Sequence, residues 1–284
     1  MEKKRKLFCE ISPFTYKLSS IKCQIVRKMQ DIFSKVSFAK QRQKELLPII
    51  IYSSKSLIRR KLGNVDMQLQ ENKALNLKLA TRKLSGIIIK PGEVFSFWHL
   101  VGSCNKAKGY QAGLLLSNGK ATSGIGGGMC QLTNLIHWLI LHTPLEIVEH
   151  HHHDGLDMFP DYGRQIPFGT GTSIAYNYLD YRFMNPTEQD FQVVVATTDK
   201  YLCGEIRANK PLSTKYHIKV EDEYFSKEDD GYYRNGKILR ETLDCTTGNI
   251  LSSKLIKKNH AKLMYDSKYI GISSKNSYEL KELS

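Results

Sequence analysis

The sequence predicts an α+β protein, and three observations predict it. Residues 17–47 and 66–84 carry apolar positions at helical spacing. Between 87 and 265, runs of β-branched and aromatic residues alternate with Gly, Pro and Asn breaks. Between them, a glycine triplet opens an apolar run of helical length at Cys130. The expected architecture is a helical basic N-terminal arm, a central mixed α/β domain around the Gly-rich loop and Cys-bearing helix, and a small antiparallel β appendage. The expected divisions are an arm over 1–61, a core over 62–210, the β-rich appendage over 211–270 and a disordered tail over 271–284. At 284 residues, 41% hydrophobic and 25% charged, the chain can bury a sizeable core.

The helices come first. Ile21, Ile25, Ile32, Phe33 and Val36 recur among Lys and Arg, which predicts a basic amphipathic helix over about 17–47. Asp66 suits the cap of a second helix, with Leu69, Leu77, Ala80 and Leu84 on one face and Gly86 past its end. "GIIIK-PGE-VFSFWHLVG" then predicts a buried strand, a Pro-Gly turn and an aromatic strand. "GYQAGLLLSNGKAT" predicts a hairpin turning at Ser117-Asn118-Gly119. "GIGGG" (124–128) reads as a flexible loop, Cys130 to about His142 as a helix stopped by Pro144, and "LEIVEH" (145–150) as a strand. A long irregular connection follows. "SIAYNYLDYRFMN" and "FQVVVATTD" read as β-rich, and short antiparallel strands are expected after Pro211.

Charge is uneven. Residues 1–61 hold 16 Lys/Arg against 4 Asp/Glu, a net of +12 out of the whole chain's +14. Such an arm binds anionic lipid headgroups, nucleic acid or an acidic partner, or is simply a solvated face. An anionic membrane surface is the expected partner of residues 1–61, and nucleic acid is not expected. The basic start lacks the apolar stretch of an export signal, and "LLPIIIY" (46–52) is too short to span a bilayer. The expected location is the cytoplasm, peripheral at the inner membrane surface. Six cysteines without CxxC pairs should be free thiols there. No zinc-finger spacing or phosphate-loop motif is present, so neither a cofactor nor a metal is expected.

The chemistry concentrates between 123 and 155. Gly126, Gly127 and Gly128 precede a helix start, which leaves first-turn amides free for an anion or oxyanion. Cys130 there lies in the positive end of the helix dipole, which favours thiolate. A histidine from the run after the strand, His151 or His153, can take its proton. Gln131 in the first turn can donate to a developing oxyanion. The competing readings are a buried thiol acting as a small hydrophobe, and a metal held by the histidine run. Asp180 and Arg182 share one strand face, as an ion pair or a polar-ligand site.

Several of these segments occur in an order that resembles a known family. "NKALNLKLATRKLSG" (72–86), "IIIKPGEVFSFW" (87–98), "GGGMCQLTNLIHWLILHTPLEIVEH" (126–150) and "LDYRFMN" (179–185) resemble the VanW family, named for an accessory protein of vancomycin B-type resistance clusters. The resemblance covers about residues 45–265. It implies a GGG-x-CQ site at Gly126, Gly127, Gly128, Cys130 and Gln131, with histidine after the following strand, where Glu149, His151 and His153 stand. The family's Asp-Ala step has no counterpart in "GRQIPFGTG" (163–171). The implied function is an accessory role in glycopeptide resistance or cell-envelope precursor metabolism. Two forms of that role are open. In one, Cys130, His151, His153 and Gln131 act on a peptide-like substrate held by the glycines, Asp180 and Arg182. In the other, the protein is a non-enzymatic binding or scaffolding module of the same pathway.

Overall fold

The computed structural model describes residues 7–60, 66–117, 120–152, 155–160, 166–270 and 280–282, with backbone alone at 116–117, 120–121 and 280–282. In chain order the elements are α1 (Pro13–Phe33), β1 (Ile49–Leu57), α2 (Met67–Leu84), β2 (Ile87–Ile89), β3 (Val94–Ser96), α3 (Phe97–Val101), β4 (Ala112–Ser117), β5 (Lys120–Ile125), α4 (Met129–Ile140), β6 (Glu146–Glu149), β7 (Leu156–Asp157), β8 (Arg182–Met184), β9 (Phe191–Thr197), β10 (Tyr201–Ala208), β11 (Thr214–Glu228), β12 (Gly231–Asp244), β13 (Ile250–Leu263) and β14 (Leu280–Glu282). The α+β class holds.

The centre is an antiparallel sheet in the order β1-β10-β9-β2. Helices α2 and α4 supply Leu77, Ala80, Leu84, Leu132, Leu135, Ile136 and Leu139 to one core with Val193, Val195, Leu202 and Ile206 of the sheet. Apolar burial of this kind contributes about 25 cal/mol per Å². Close packing of α4 on β10 depends on Gly204: a Cβ there would lie 2.8 Å from Leu139 Cδ1. A second sheet, β3-β8-β6, flanks the core, and β4-β5 form a hairpin beside α2. The Asn118-Gly119 turn of that hairpin lies outside the described residues.

Three expectations change. The helix foreseen over 17–47 runs only over Pro13–Phe33, capped by Ser12 and ending where Lys35 takes a left-handed φ of 54°. From there the chain runs extended: Phe38 bridges Val94, Arg42 bridges Ile87, and Ala39 and Leu47 are buried. Tertiary pairing overrides the basic helical pattern in this stretch. The aromatic strand after Pro91 is cut short at Ser96, whose hydroxyl accepts from the His99 amide and starts α3. The C-terminal strands are long, not short: β11, β12 and β13 run for 15, 14 and 14 residues as a meander. β7 joins the β13 edge and β14 the β11 edge, both parallel. Residues 280–282 form a strand within the expected disordered tail, and the other residues of that tail lie outside the described set.

α1 docks with its polar side inward. Arg27 pairs with Glu149 of β6, and Asp31 takes both terminal nitrogens of Arg182 of β8 at 2.7 Å. Its apolar residues Phe14, Leu18, Ile21, Ile25, Met29 and Ile32 face outward, Phe14 being 74% exposed. Among the described residues no helix is long and apolar enough to cross a membrane.

Candidate functional site

The glycine loop is clamped, not flexible. Asn76 of α2 donates from Nδ2 to the carbonyls of Gly127 (2.9 Å) and Gln111 (3.0 Å), and its Oδ1 accepts from the Gln111 amide at 2.8 Å. Gly113 and Gly127 meet backbone to backbone: a Cβ on Gly127 would lie 2.3 Å from the Gly113 carbonyl carbon. Gly128 caps α4 with φ +105°, a conformation open to glycine, and a Cβ there would lie 2.3 Å from Lys73 Cγ. The amides of Met129 and Cys130 consequently open α4 without an intrahelical acceptor.

This helix start forms part of the wall of a cleft of about 1750 Å³. Cys130, Gln131, His152, Trp98, Tyr176 and Phe168 line it, together with the irregular segment 166–175. α4 also holds that segment in place. Asn134 Oδ1 accepts from the Thr172 amide at 2.6 Å and its hydroxyl at 2.8 Å, and the Thr133 and Thr172 hydroxyls share a hydrogen bond of 2.5 Å.

The expected site residues part company here. Cys130 is half-buried at the cleft wall, and burial pushes its thiol up, against amide hydrogen bonds from Ile174 and its own backbone. Desolvation of a thiolate outweighs the field of the helix end. Gln131 donates from Nε2 to Ser56 Oγ (3.0 Å) and the Leu57 carbonyl (2.9 Å), so its amide group ties α4 to β1. His151 lies 2.9 Å from Glu149 Oε1, in a separate hollow of about 490 Å³ with Arg27, Cys23 and Tyr178. Cys130 does not line that hollow. His153 lies outside the described residues. Gly126 and Gly128 line the main cleft, while buried Gly127 lies just behind it.

Asp180 and Arg182 are not among the residues that line this cleft; they stand in a buried hydrogen-bond network beside it. Asp180, 1% exposed, accepts from Ser96 Oγ (2.5 Å), the Trp98 amide (3.0 Å), the Tyr181 amide (2.8 Å) and Arg182 Nε (2.8 Å). Removing one partner of such a buried network typically costs about 3–5 kcal/mol.

The structure adds residues the sequence reading passed over. His152 is the described histidine of the run that lines the Cys130 cleft. Its ring centre lies 3.9 Å from that of His150 with the planes tilted by 59°, and the His150 ring lies 4.1 Å from that of buried His137. His137 Nδ1 is 3.1 Å from the Tyr181 hydroxyl, and burial, then the charges of His150 and His152, hold its pKa well below the usual histidine value. Among the described residues no three His, Cys, Asp or Glu side chains converge as a metal-ligand set. Lys73 and Arg60 also line the cleft. The signal for Lys73 was present: it stands four residues before Leu77 and seven before Ala80, on the apolar stripe of its helix, where a lysine is out of pattern.

Comparison with known proteins places these features. Residues 72–207 match the family model described as VanW like protein. The chain is 34% identical over 233 residues to the vancomycin B-type resistance protein VanW of Enterococcus faecalis (strain ATCC 700802 / V583), covering 82% of this chain and 84% of that protein. It is 25% identical over 122 residues to the uncharacterized protein YoaR of Bacillus subtilis (strain 168), covering 42% of this chain and 37% of that one. No solved structure matches. The matched span takes in α2, the clamped glycines, α4 and the central strands β9 and β10, and with that coverage the chain belongs to the VanW family.

Proposed function

We propose that this chain is an accessory protein of glycopeptide resistance that binds a peptide-like cell-envelope precursor in the Cys130 cleft, without a cysteine–histidine reaction. The observation that carries this reading is the separation of the expected catalytic parts. Cys130 faces the large cleft as a thiol that burial pushes up, His151 serves the Glu149 network in another hollow, and the Gln131 amide is engaged by β1. The cleft itself suits a peptide. It offers aromatic surface at Trp98, Tyr176 and Phe168, beside the irregular backbone of 166–175. Similarity to a vancomycin B-type resistance protein supports the pathway.

The outward apolar stripe of α1 supports a second component of the reading, attachment to an anionic membrane surface. Ion pairs hold the inner side of α1, and Lys17, Lys22 and Lys28 flank the stripe as headgroup-binding cations flank an interfacial helix.

The test is binding of a synthetic cell-wall stem peptide, followed by quenching of tryptophan fluorescence. Wild type and Cys130→Ser should bind alike, since a thiol-to-hydroxyl change removes at most about 1 kcal/mol of interaction. Both should restore resistance to a strain lacking the gene. A Cys130→Ser chain that folds and binds peptide but restores no resistance would return Cys130 to a catalytic role.

A further inference from the structure

We infer that the peptide lies as an added strand along the open edge of β13, at Lys258 and His260, with its carboxylates toward Lys258. This deepens the proposed function: the identity of the ligand rests on that reading, whereas the strand site does not. The edge is defined by its neighbours. β12 covers one side of β13 along its length, and β7 covers the other only at Lys262 and Leu263. There the Lys262 and Met264 amides donate to the Gly155 and Asp157 carbonyls, at 2.8 Å and 2.9 Å. Successive residues of a strand turn their backbone groups to alternate edges. The β12–β13 register runs unbroken from Lys257 opposite Ile238 to Lys262 opposite Tyr233, so the amides and carbonyls of Lys258 and His260 point to the β7 side as well. β7 does not reach them, and among the described residues neither amide has an acceptor.

This open stretch lies in the cleft. Residues 257–261 line it together with Phe168 and Gly169 of the irregular segment. Asn259 donates from Nδ2 to the Phe168 carbonyl at 3.0 Å, so that segment covers the face of β13 on which Asn259 stands. It is pressed close, since a Cβ on Gly169 would lie 2.2 Å from Asn259 Oδ1. The His260 ring leans onto β12, away from the edge: its Nδ1 lies 2.8 Å from Asn235 Oδ1, and it stacks on Tyr233 at 4.5 Å. These side chains are occupied while the backbone edge is left open. That is what strand addition uses, with main-chain hydrogen bonds for affinity and side-chain pockets for specificity.

Charge selects the occupant. β13 carries Lys254, Lys257, Lys258 and Lys262 and no Asp or Glu. Lys262 is paired with Asp230 at 2.6 Å, whereas exposed Lys258 has no ion pair among the described residues. Like charges opposed across a strand pair are destabilising, so a second copy of this edge is a poor partner and an acidic strand a good one. The cleft does not supply the acid itself. Asp157 is the one carboxylate among its described lining residues, and it is engaged by the Tyr265 hydroxyl at 2.9 Å and by Arg234.

The test is hydrogen exchange of single amides in the full chain, followed by NMR with and without peptide. The probes are the synthetic stem peptide and a short peptide of alternating Thr and Glu, which serves as a generic acidic strand. At saturation the Lys258 and His260 amides should exchange about tenfold more slowly or less, while those of Asn259 and Ala261, already turned to β12, should change little. Lys258→Glu should weaken the Thr-Glu peptide by about tenfold, since one ion pair is lost and a repulsion of similar size gained, and a Thr-Lys peptide should restore the affinity. Exposed Lys258 makes this variant safe for the fold, and the exchange measurement on wild type needs no variant. Stem peptide that quenches tryptophan fluorescence but leaves both amides exchanging as before would overturn strand addition and leave the proposed function. Thr-Glu peptide that slows both amides while stem peptide fails to bind would remove that function and leave the edge. No slowing with either peptide overturns the site. A folded Lys258→Glu chain that binds the Thr-Glu peptide as wild type does would overturn the acidic ligand. The same amides slowed by raising protein concentration alone would assign the edge to a second copy and overturn the proposal.

Discussion

Replacing Lys73 by methionine should make the free protein more stable at neutral pH. In the folded chain the amine titrates at about 8 against an ordinary 10.5, a gap of about 2.5, caused first by burial and then by the charges of Arg60 and Arg59. At about 1.4 kcal/mol per pH unit this gap corresponds to about 3 kcal/mol, an upper bound on what holding the charge costs the fold. Below pH 8 Lys73 is charged in both folded and unfolded chains, so the cost is fully present. Between 8 and 10.5 the unfolded chain binds the extra proton, so stability rises with pH, and above 10.5 the cost is gone. Arg60 and Arg59 stay cationic throughout that window and cannot produce the effect. Urea unfolding of wild type and Lys73→Met, at pH 7 and again at pH 10, measures it. The variant should lead by about 1–3 kcal/mol at pH 7, and the lead should shrink at pH 10. A variant less stable than wild type at pH 7 would mean that the ammonium has an internal partner, and the reasoning would fail.

Three further outcomes follow from the same coordinates. Cys130, pushed up by burial, should react with iodoacetamide more slowly than exposed Cys23 and Cys245 at neutral pH, measured by mass spectrometry of the labelled peptides. His142, stacked 3.7 Å on Tyr52, is lowered to about 4 by burial and then by Arg240 and His217, against a hydrogen bond to Trp138, and buried His137 lies well below 6.5. The unfolded chain therefore binds more protons below pH 6.5, stability should fall as pH drops from 6.5 toward 4, and His142→Phe should flatten that fall in acid melts. Anionic vesicles should bind the chain less as salt rises, because the Debye length shrinks from about 10 Å at 0.1 M to about 3 Å at 1 M. Ile25→Glu, in the exposed stripe of α1, should abolish co-sedimentation without shifting the melting temperature.

Periodic segments were legible. The α2 stripe Leu77, Ala80, Leu84 and the α4 stripe Leu132, Leu135, Ile136, Leu139 are buried, because two helices packing one sheet leave a plain 3.6-residue pattern. Residues 34–48 were not legible, since their extended course depends on bridges to Val94 and Ile87, far along the chain. The glycine triplet was found, but its rigidity was not, because the clamp is Asn76, a polar residue inside an otherwise ordinary helix. The site suffered most from proximity in sequence. His151 follows Cys130 closely in the chain, yet adjacent side chains of the histidine run point to different hollows, as alternation in an extended segment requires. Lys73 shows the opposite case, where a residue at odds with its own helical stripe marks the cleft better than any motif.

The Asn76 clamp also ties ligand binding to global folding. Its hydrogen bonds reach partners 35 and 51 residues away, in the segment leading into β4 and in the loop before α4. The cleft end is therefore complete only when α2, the hairpin and α4 are all in place. A ligand seated there cannot be retained by a partly opened molecule, so its binding energy adds to the stability of the whole unit. Hydrogen exchange would register this as slowed exchange of the deepest amides of α2 and α4 together, rather than as a protected patch confined to the cleft.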